Sequence, residues 1–290
     1  MSTLNDKSEP ISVNEKDMKC APNKKFEDGS CIPLNILVAM AEAYNKDHPN
    51  DKIQLSTRHE TLNPKYKRYL VKQFKKKLSD KCDNQQCWSR QGFMKHLNDK
   101  MKEDLKTETF RPKGPNGKFT WLNTLNIDDV MGQYEEKYKE FKFLGAVPID
   151  FDKLPEYGIK ELNFKELMDK GKTKLGVIFN TDPHYKSGQH WIAMYADLTK
   201  GECYYFDSYG MAPEKEVKIL MNRISKFIKS TGKEPIVDYN KMQHQKEGSE
   251  CGVYSMAFIL RLLKGDGFKV FQETRISDEE INQCRKYYFS

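Results

Sequence analysis

Residues 243–263 read QHQKEGSECGVYSMAFILRLL, a polar loop that passes Gly248, reaches Cys251 and runs straight into an apolar helix. Val253, Met256, Ala257, Ile259, Leu260 and Leu263 cover most faces of that helix, which predicts an element buried inside a domain. A cysteine serving as a small hydrophobe belongs within such a run, whereas Cys251 stands ahead of it. At a helix start the unpaired backbone N–H groups and the macrodipole favour an anion, so a thiolate forms more readily there. The position suits a nucleophile, provided a base accompanies it.

The chain holds six histidines. His190 begins one predicted strand, HWIAMYA (190–196), and Asp207 lies near the end of the next, ECYYFDS (202–208), with the turn residues DLTKG between them. A hairpin centred near 198 or 199 places His190 and Asp207 at the same end of adjacent antiparallel strands, within contact range. One hairpin then supplies a base and the carboxylate that orients it, both able to face the 243–251 loop. Gln245 adds a side-chain N–H which, with the backbone N–H of Cys251, can donate to the oxyanion formed when a thiolate attacks a carbonyl. Gly248 permits a sharp turn, and Gly252 is read as leaving space beside the sulfur for a substrate backbone.

Around this centre LGVIFN (175–180) is a further predicted strand and PIVDY (235–239) a short one. Helices are predicted from about Ile127, with Asn126 or Asp128 near the cap, and after Pro213, with Val217, Leu220, Ile224, Phe227 and Ile228 on one side and Gly232 ending it. The region reads as α+β, a small, mostly antiparallel sheet packed by helices. Upstream, RPKGPNGK reads as a linker. The expected organisation is a disordered tail over 1–17, a mainly helical basic domain over 18–112 and a catalytic domain over 113–290. Within the second part, helices are predicted over Leu34 to Tyr44 and over NPKYKRYLVKQFKKKLSD, where Tyr66, Leu70, Phe74 and Leu78 recur every four residues, with a short one around Met94 to Leu105.

The 290 residues carry a formal charge of +7. Residues 1–116 hold 23 basic and 16 acidic side chains, and the remainder holds 26 of each, so the whole excess lies in the first part. Lys72, Lys75, Lys76 and Lys77 make the second helix a candidate nucleic-acid surface, against the plainer reading of a solvated face. No stretch of 18 apolar residues offers a membrane span, and MSTLNDKSEPISVNEKD has no apolar core of a secretory signal, so an intracellular protein is expected. Seven cysteines in an irregular pattern fit reduced thiols better than disulfides. Cys82 and Cys87, spaced C-x4-C, have no second tight pair, so no metal and no cofactor are expected.

As a set, His190-Trp191, Asp207-Ser208, Gln245 and Cys251-Gly252 resemble the ubiquitin-like-protein (SUMO) proteases and adenain-type proteases, papain-like in chemistry with the order His, Asp, Cys. Trp121-Leu122-Asn123 is similar to the Trp-Leu-Asn-Asp signature that opens the SUMO-protease domain, with Thr124 in place of the acidic residue. The N-terminal region resembles that of the capsid-polyprotein-processing proteases of large nucleocytoplasmic DNA viruses. The resemblance implies a thiol endopeptidase that cleaves after small residues, at Gly-Gly-x or Gly-x sites, with Cys251, His190, Asp207 and Gln245 as its catalytic set. It implies a groove roofed by Trp191, floored near Gly252 and continued by Trp121 and Asn123. A monomer acting on a protein substrate in host cytoplasm and virion is the leading expectation. A deconjugase of ubiquitin-like modifiers and an inactive binding module of the same fold are the alternatives.

Overall fold

The computed structural model describes residues 14–56, 64–117 and 119–290, and divides into two compact units, Met1–Arg111 and Pro112–Ser290. Residues 1–13 of the expected disordered tail lie outside the described part. Its last residues are folded: Asn14 caps a 3-10 turn at Glu15–Met18, and buried Asp17 accepts the backbone N–H of Gln85 at 2.7 Å.

In the first unit, α1 (Leu34–Asp47) and α2 (Pro64–Lys77) share one apolar cluster. Leu70, Phe74 and Leu78 of the four-residue repeat are buried in it, and Tyr66 packs against it partly exposed. The stretch around 94–105 is not one helix but a 3-10 turn (Gly92–His96), a short α-helix (Asp99–Glu103) and a π turn (Asp104–Glu108). Much of the basic face of α2 serves its own unit. Lys75 reaches Asp17 at 3.2 Å, Lys77 pairs with Asp51, Arg68 meets Asp28 at 3.0 Å, and Lys67 donates to the carbonyl of Ser30 at 3.0 Å. The expectation of reduced thiols is overturned here. Cys20 is joined to Cys31, with Cα atoms 5.3 Å apart, and Cys82 to Cys87, at 5.5 Å. In both pairs a tight reversal of the chain brings the Cα atoms within bridging distance, which linear spacing alone does not reveal.

The second unit is built on a five-stranded sheet in sequence order: β1 (Phe141–Pro148), β2 (Lys174–Asn180), β3 (Trp191–Asp197), β4 (Glu202–Phe206) and β5 (Ile236–Tyr239). It is mixed rather than mostly antiparallel. β2–β3 and β3–β4 run antiparallel, but β1–β2 and β4–β5 run parallel. Their connections explain this, because a parallel neighbour needs a long crossover. The β1–β2 link carries a short helix at Phe164–Asp169 and the β4–β5 link carries α4 (Lys215–Ser230), whereas the reversal from β3 to β4 takes only the four residues 198–201.

Helix α3 (Thr124–Lys137) begins three residues before the predicted start, because Asn123 and Asn126 form a reciprocal capping box. Helix α5 (Cys251–Lys264) has twelve of its residues buried and packs on one sheet face beside α3, where its Val253, Phe258 and Ile259 join Ala193, Tyr195 and Phe206. α4 covers the other face with Val217, Leu220 and Ile224 against Ile192, Met194 and Tyr205. β3 is thus buried on both sides, a rigid base for what lies at its ends. Among the described residues, no helix is long and apolar enough to cross a membrane.

Candidate active site

Asp197 fixes the β3–β4 turn, its Oδ1 accepting the N–H groups of Thr199 and Lys200, and Gly201 completes it at φ +79°. The ladder pairs Asp197 with Glu202 and Ala193 with Phe206. The hairpin is therefore centred between 199 and 200, later than the sequence suggested, and continuing its register past the last printed pair sets Tyr209 rather than Asp207 opposite His190. Asp207 reaches the histidine diagonally: His190 Nε2 donates to its Oδ1 at 2.7 Å. Tyr209 takes the facing place, its ring stacked on the imidazole at 4.8 Å and its N–H donated to the same Oδ1 at 2.9 Å.

Asp207 is held by a residue that sequence reasoning missed. Buried Asn240, just past β5, accepts the N–H of Asp207 at 2.9 Å and donates to its carbonyl at 2.7 Å. This amide clamp fixes the backbone from which the carboxylate projects. The next residue, Ser208, binds the nucleophile loop, its carbonyl accepting the N–H groups of His244 and Gln245 and its Oγ donating to Gln245 Oε1 at 2.6 Å.

Gln245 is fully buried, with Nε2 donating to the carbonyl of Glu247 at 2.6 Å and to the Tyr209 hydroxyl at 3.3 Å. Asp278 steadies the same loop by accepting the N–H groups of Lys246 and Glu247. His244, though adjacent, is structural: Nε2 donates to the carbonyl of Phe271 and Nδ1 accepts from Ile276, and burial pulls its pKa down.

Cys251 is the first residue of α5 and almost wholly buried. Burial opposes charge on His190, but its hydrogen bond to the Asp207 carboxylate and the nearness of Cys251 outweigh it and push its pKa up to about 9. With Nε2 committed to Asp207, Nδ1 is the nitrogen left for the sulfur. The structure thus brings His190, Asp207, Gln245 and Cys251 to one point. Cys203, a candidate only for the core, is buried there with its thiol pushed up to about 12.

Immediately before the thiol, the buried carboxylate of Glu250 pairs with Arg285 at 2.9 Å, both side chains 0% exposed. Glu250 Oε1 also accepts the N–H of Phe119 at 3.1 Å.

Trp191 is buried, its indole N–H donated to the carbonyl of Leu122 at 2.9 Å, and it forms one wall of a cavity of about 400 Å³ together with Trp121, Asn123, Pro148, Tyr157 and His184. Gly252 lets α5 press against Trp191, because a Cβ there would lie 3.2 Å from both Leu122 Cβ and Trp191 Cδ1.

Residues 163–290 match the Ulp1 protease family, C-terminal catalytic domain. A thiol protease of Acanthamoeba polyphaga mimivirus is 39% identical over 279 residues, covering 93% of this chain and 92% of its own. The SUMO-1 cysteine protease of an African swine fever virus isolate (Pig/Kenya/KEN-50/1950) is 26% identical over 254 residues, 81% of this chain and 93% of its own. The crystal structure of the African swine fever virus protease superposes with a TM-score of 0.68 at 21% identity, over 96% of this chain and 99% of the other, and so shares the fold. The similarity to the mimivirus enzyme spans nearly the full length of both chains, and on that ground this chain belongs to the Ulp1 protease family, among its viral thiol proteases.

Proposed function

We propose that the chain is an endopeptidase in which Cys251 is the nucleophile, His190 the base, Asp207 its orienting carboxylate and Gln245 an oxyanion donor. The observation that carries this reading is an imidazole held by Asp207 at 2.7 Å whose pKa is raised by Asp207 and by Cys251, the first residue of the buried helix α5. With its pKa raised to about 9, His190 is the base that takes the thiol proton, and the sulfur that attacks is a thiolate. The sulfur attacks the scissile carbonyl carbon, and the carbonyl oxygen takes the electron pair and is met by the N–H of Cys251 and by Gln245 Nε2. Of the two hydrogen bonds made by Nε2, the longer one, to Tyr209, is the one a substrate oxygen replaces. Collapse expels the amine, which leaves with the imidazolium proton, and a thioester remains. His190 then takes a proton from water, hydroxide adds to the thioester, and the carboxylic product departs as the thiolate and imidazolium are restored.

The groove walled by Trp121 and Trp191 is the proposed seat of the residues before the scissile bond. Tight packing among Trp191, Leu122 and Gly252 beside the thiol supports a preference for glycine next to that bond, at Gly-Gly-x or Gly-x junctions of viral structural polyproteins. The SUMO-1 protease name of the African swine fever virus relative favours a second reading, cleavage of ubiquitin-like conjugates. Nucleic-acid binding by α2 is retained only as a minor proposal, because Lys75 and Lys77 are spent on Asp17 and Asp51. Elution from a DNA column at physiological salt would end it.

The test uses the full chain and fluorogenic peptides ending in Gly-Gly or Gly-Leu before the same leaving group. Turnover of Gly-Gly, loss of turnover in Cys251→Ala and His190→Ala, and at least about a tenfold preference over Gly-Leu are expected. A Cys251→Ala protein that still cleaves removes the nucleophile assignment. Processing of a SUMO precursor with neglect of the free peptides moves the proposal to the second reading.

A further inference from the structure

The residue facing the imidazole links the His190–Asp207 pair to the Gln245 carboxamide. The backbone N–H of Tyr209 donates to Asp207 Oδ1 at 2.9 Å, its ring lies on the face of His190 at 4.8 Å and 28°, and its hydroxyl accepts from Gln245 Nε2 at 3.3 Å and reaches the carbonyl of Glu247 at 3.4 Å. At 37% exposure the tyrosine lies at the surface, while the His190 side chain beneath it keeps only 15%.

We infer that Tyr209 is a positioning residue with two separable duties, its ring holding His190 against Cys251 and its hydroxyl setting the Gln245 carboxamide for the oxyanion. This rests on the assignment of Cys251, His190 and Gln245 above.

The ring duty follows from shape and charge. Asp207 fixes one edge of the imidazole, but one hydrogen bond leaves the ring free to swing about that contact. A flat aromatic face removes that freedom, and its negative quadrupole favours the protonated ring. The hydroxyl duty follows from the donor count. A carboxamide nitrogen has two hydrogens, and Glu247 takes one of them. The other would have no fixed partner before substrate arrives, and the phenol oxygen holds its direction until the substrate oxygen takes over. The same phenol keeps a proton of its own and stays within reach of Glu247, so it can turn aside without losing a partner.

Two readouts separate these duties. Alkylation of Cys251 by iodoacetamide at pH 7 requires the imidazole but no oxyanion donor, and mass spectrometry distinguishes it from alkylation of Cys203 and Cys284. Turnover of the Gly-Gly peptide requires both. For Tyr209→Phe, which keeps the ring, alkylation should proceed at the wild-type rate, with kcat about threefold to tenfold lower and KM unchanged, the effect of one neutral hydrogen bond. For Tyr209→Leu, both alkylation and kcat should fall, each by at least about fivefold. A Phe variant with wild-type kcat overturns the hydroxyl duty, and a Leu variant alkylated at the wild-type rate overturns the ring duty. If both variants lose both readouts equally, the side chain only supports the fold and the inference is wrong. If wild-type Cys251 is alkylated no faster than Cys284, the base assignment itself fails and the inference falls with it.

Discussion

Arg285→Met is the most demanding test of how the nucleophile is held. The guanidinium donates to both oxygens of Glu250, to Asn282 Oδ1 at 3.0 Å and to the carbonyls of Pro115 and Thr120, and neither partner of the ion pair touches solvent. One side chain thus ties the C-terminal helix to the 115–120 segment and to the residue before Cys251. Methionine fills the volume and leaves a buried carboxylate without its cation, which costs about 3–5 kcal/mol, and the stranded carbonyls add to this. Against a total of about 5–15 kcal/mol for a domain, the second unit should be near the edge of folding at 25 °C. Trp121 and Trp191 lie in that unit and Trp88 in the other, so urea unfolding followed by tryptophan fluorescence in a Trp88→Phe background reports on the second unit. Arg285→Lys should fall between wild type and Met, because an ammonium restores charge but not the planar set of donors. Glu250→Leu combined with Arg285→Met should be more stable than Arg285→Met alone, since no buried charge is then stranded. A loss below about 1 kcal/mol for Arg285→Met, or a double variant weaker than the single, would refute the reasoning.

Loss of the His190 proton should give kcat/KM an alkaline limb near pH 9, and Asp207→Asn should move that limb to lower pH by removing a charge that holds the proton; an unmoved limb contradicts the assignment. Because the folded pKa lies above the ordinary 6.5, the stabilisation from this group is complete below pH 6.5 and fades as pH rises through about 9, which urea midpoints at pH 6, 8 and 10 compared with His190→Gln will check. Gly252→Ala should cost about 1–3 kcal/mol and lower turnover, since Trp191 and Leu122 must retreat by a few tenths of an ångström; a neutral result would show that the contact yields freely. Cys31→Ser opens a bridge spanning 11 residues and should destabilise the first unit by about 2–4 kcal/mol, read from Trp88 fluorescence, whereas an unchanged midpoint would show that the bridge adds nothing.

The parts of this fold legible in the sequence are those whose neighbours along the chain are also their neighbours in space. The apolar run after Cys251 announces α5, and the aromatic and β-branched residues on either side of Asp197–Gly201 announce a hairpin, because local periodicity and turn chemistry carry both. Strand β1 was missed. FKFLGAVP follows α3 with few turn residues and pairs with a partner more than thirty positions on, and the same long-range pairing makes the sheet mixed. Gly145 and the bulge between Phe143 and Ala146 also break the alternation by which a strand is recognised.

The hairpin register shows how a small error can leave a site legible and still hide part of it. Placing the turn one residue too early pairs 190 with 207 where the ladder points to 209, a slip of two positions on one strand. In a structure with a period of two, such a slip keeps every side chain on its proper face, so His190 and Asp207 still meet. What the slip conceals is the direct neighbour, and for that reason Tyr209, which touches the imidazole, the carboxylate and the buried carboxamide, carried no signal in the sequence. Arg285 and Asn240 were hidden for a different reason. Each is an ordinary polar residue far along the chain from the group it holds, and only burial distinguishes it from a solvated one. A buried arginine persists only with a partner, so its meaning becomes visible once Glu250 is seen against it. The residues that do chemistry can be sought by type and spacing, but those that hold them in place are defined by contact and appear only when the chain is folded.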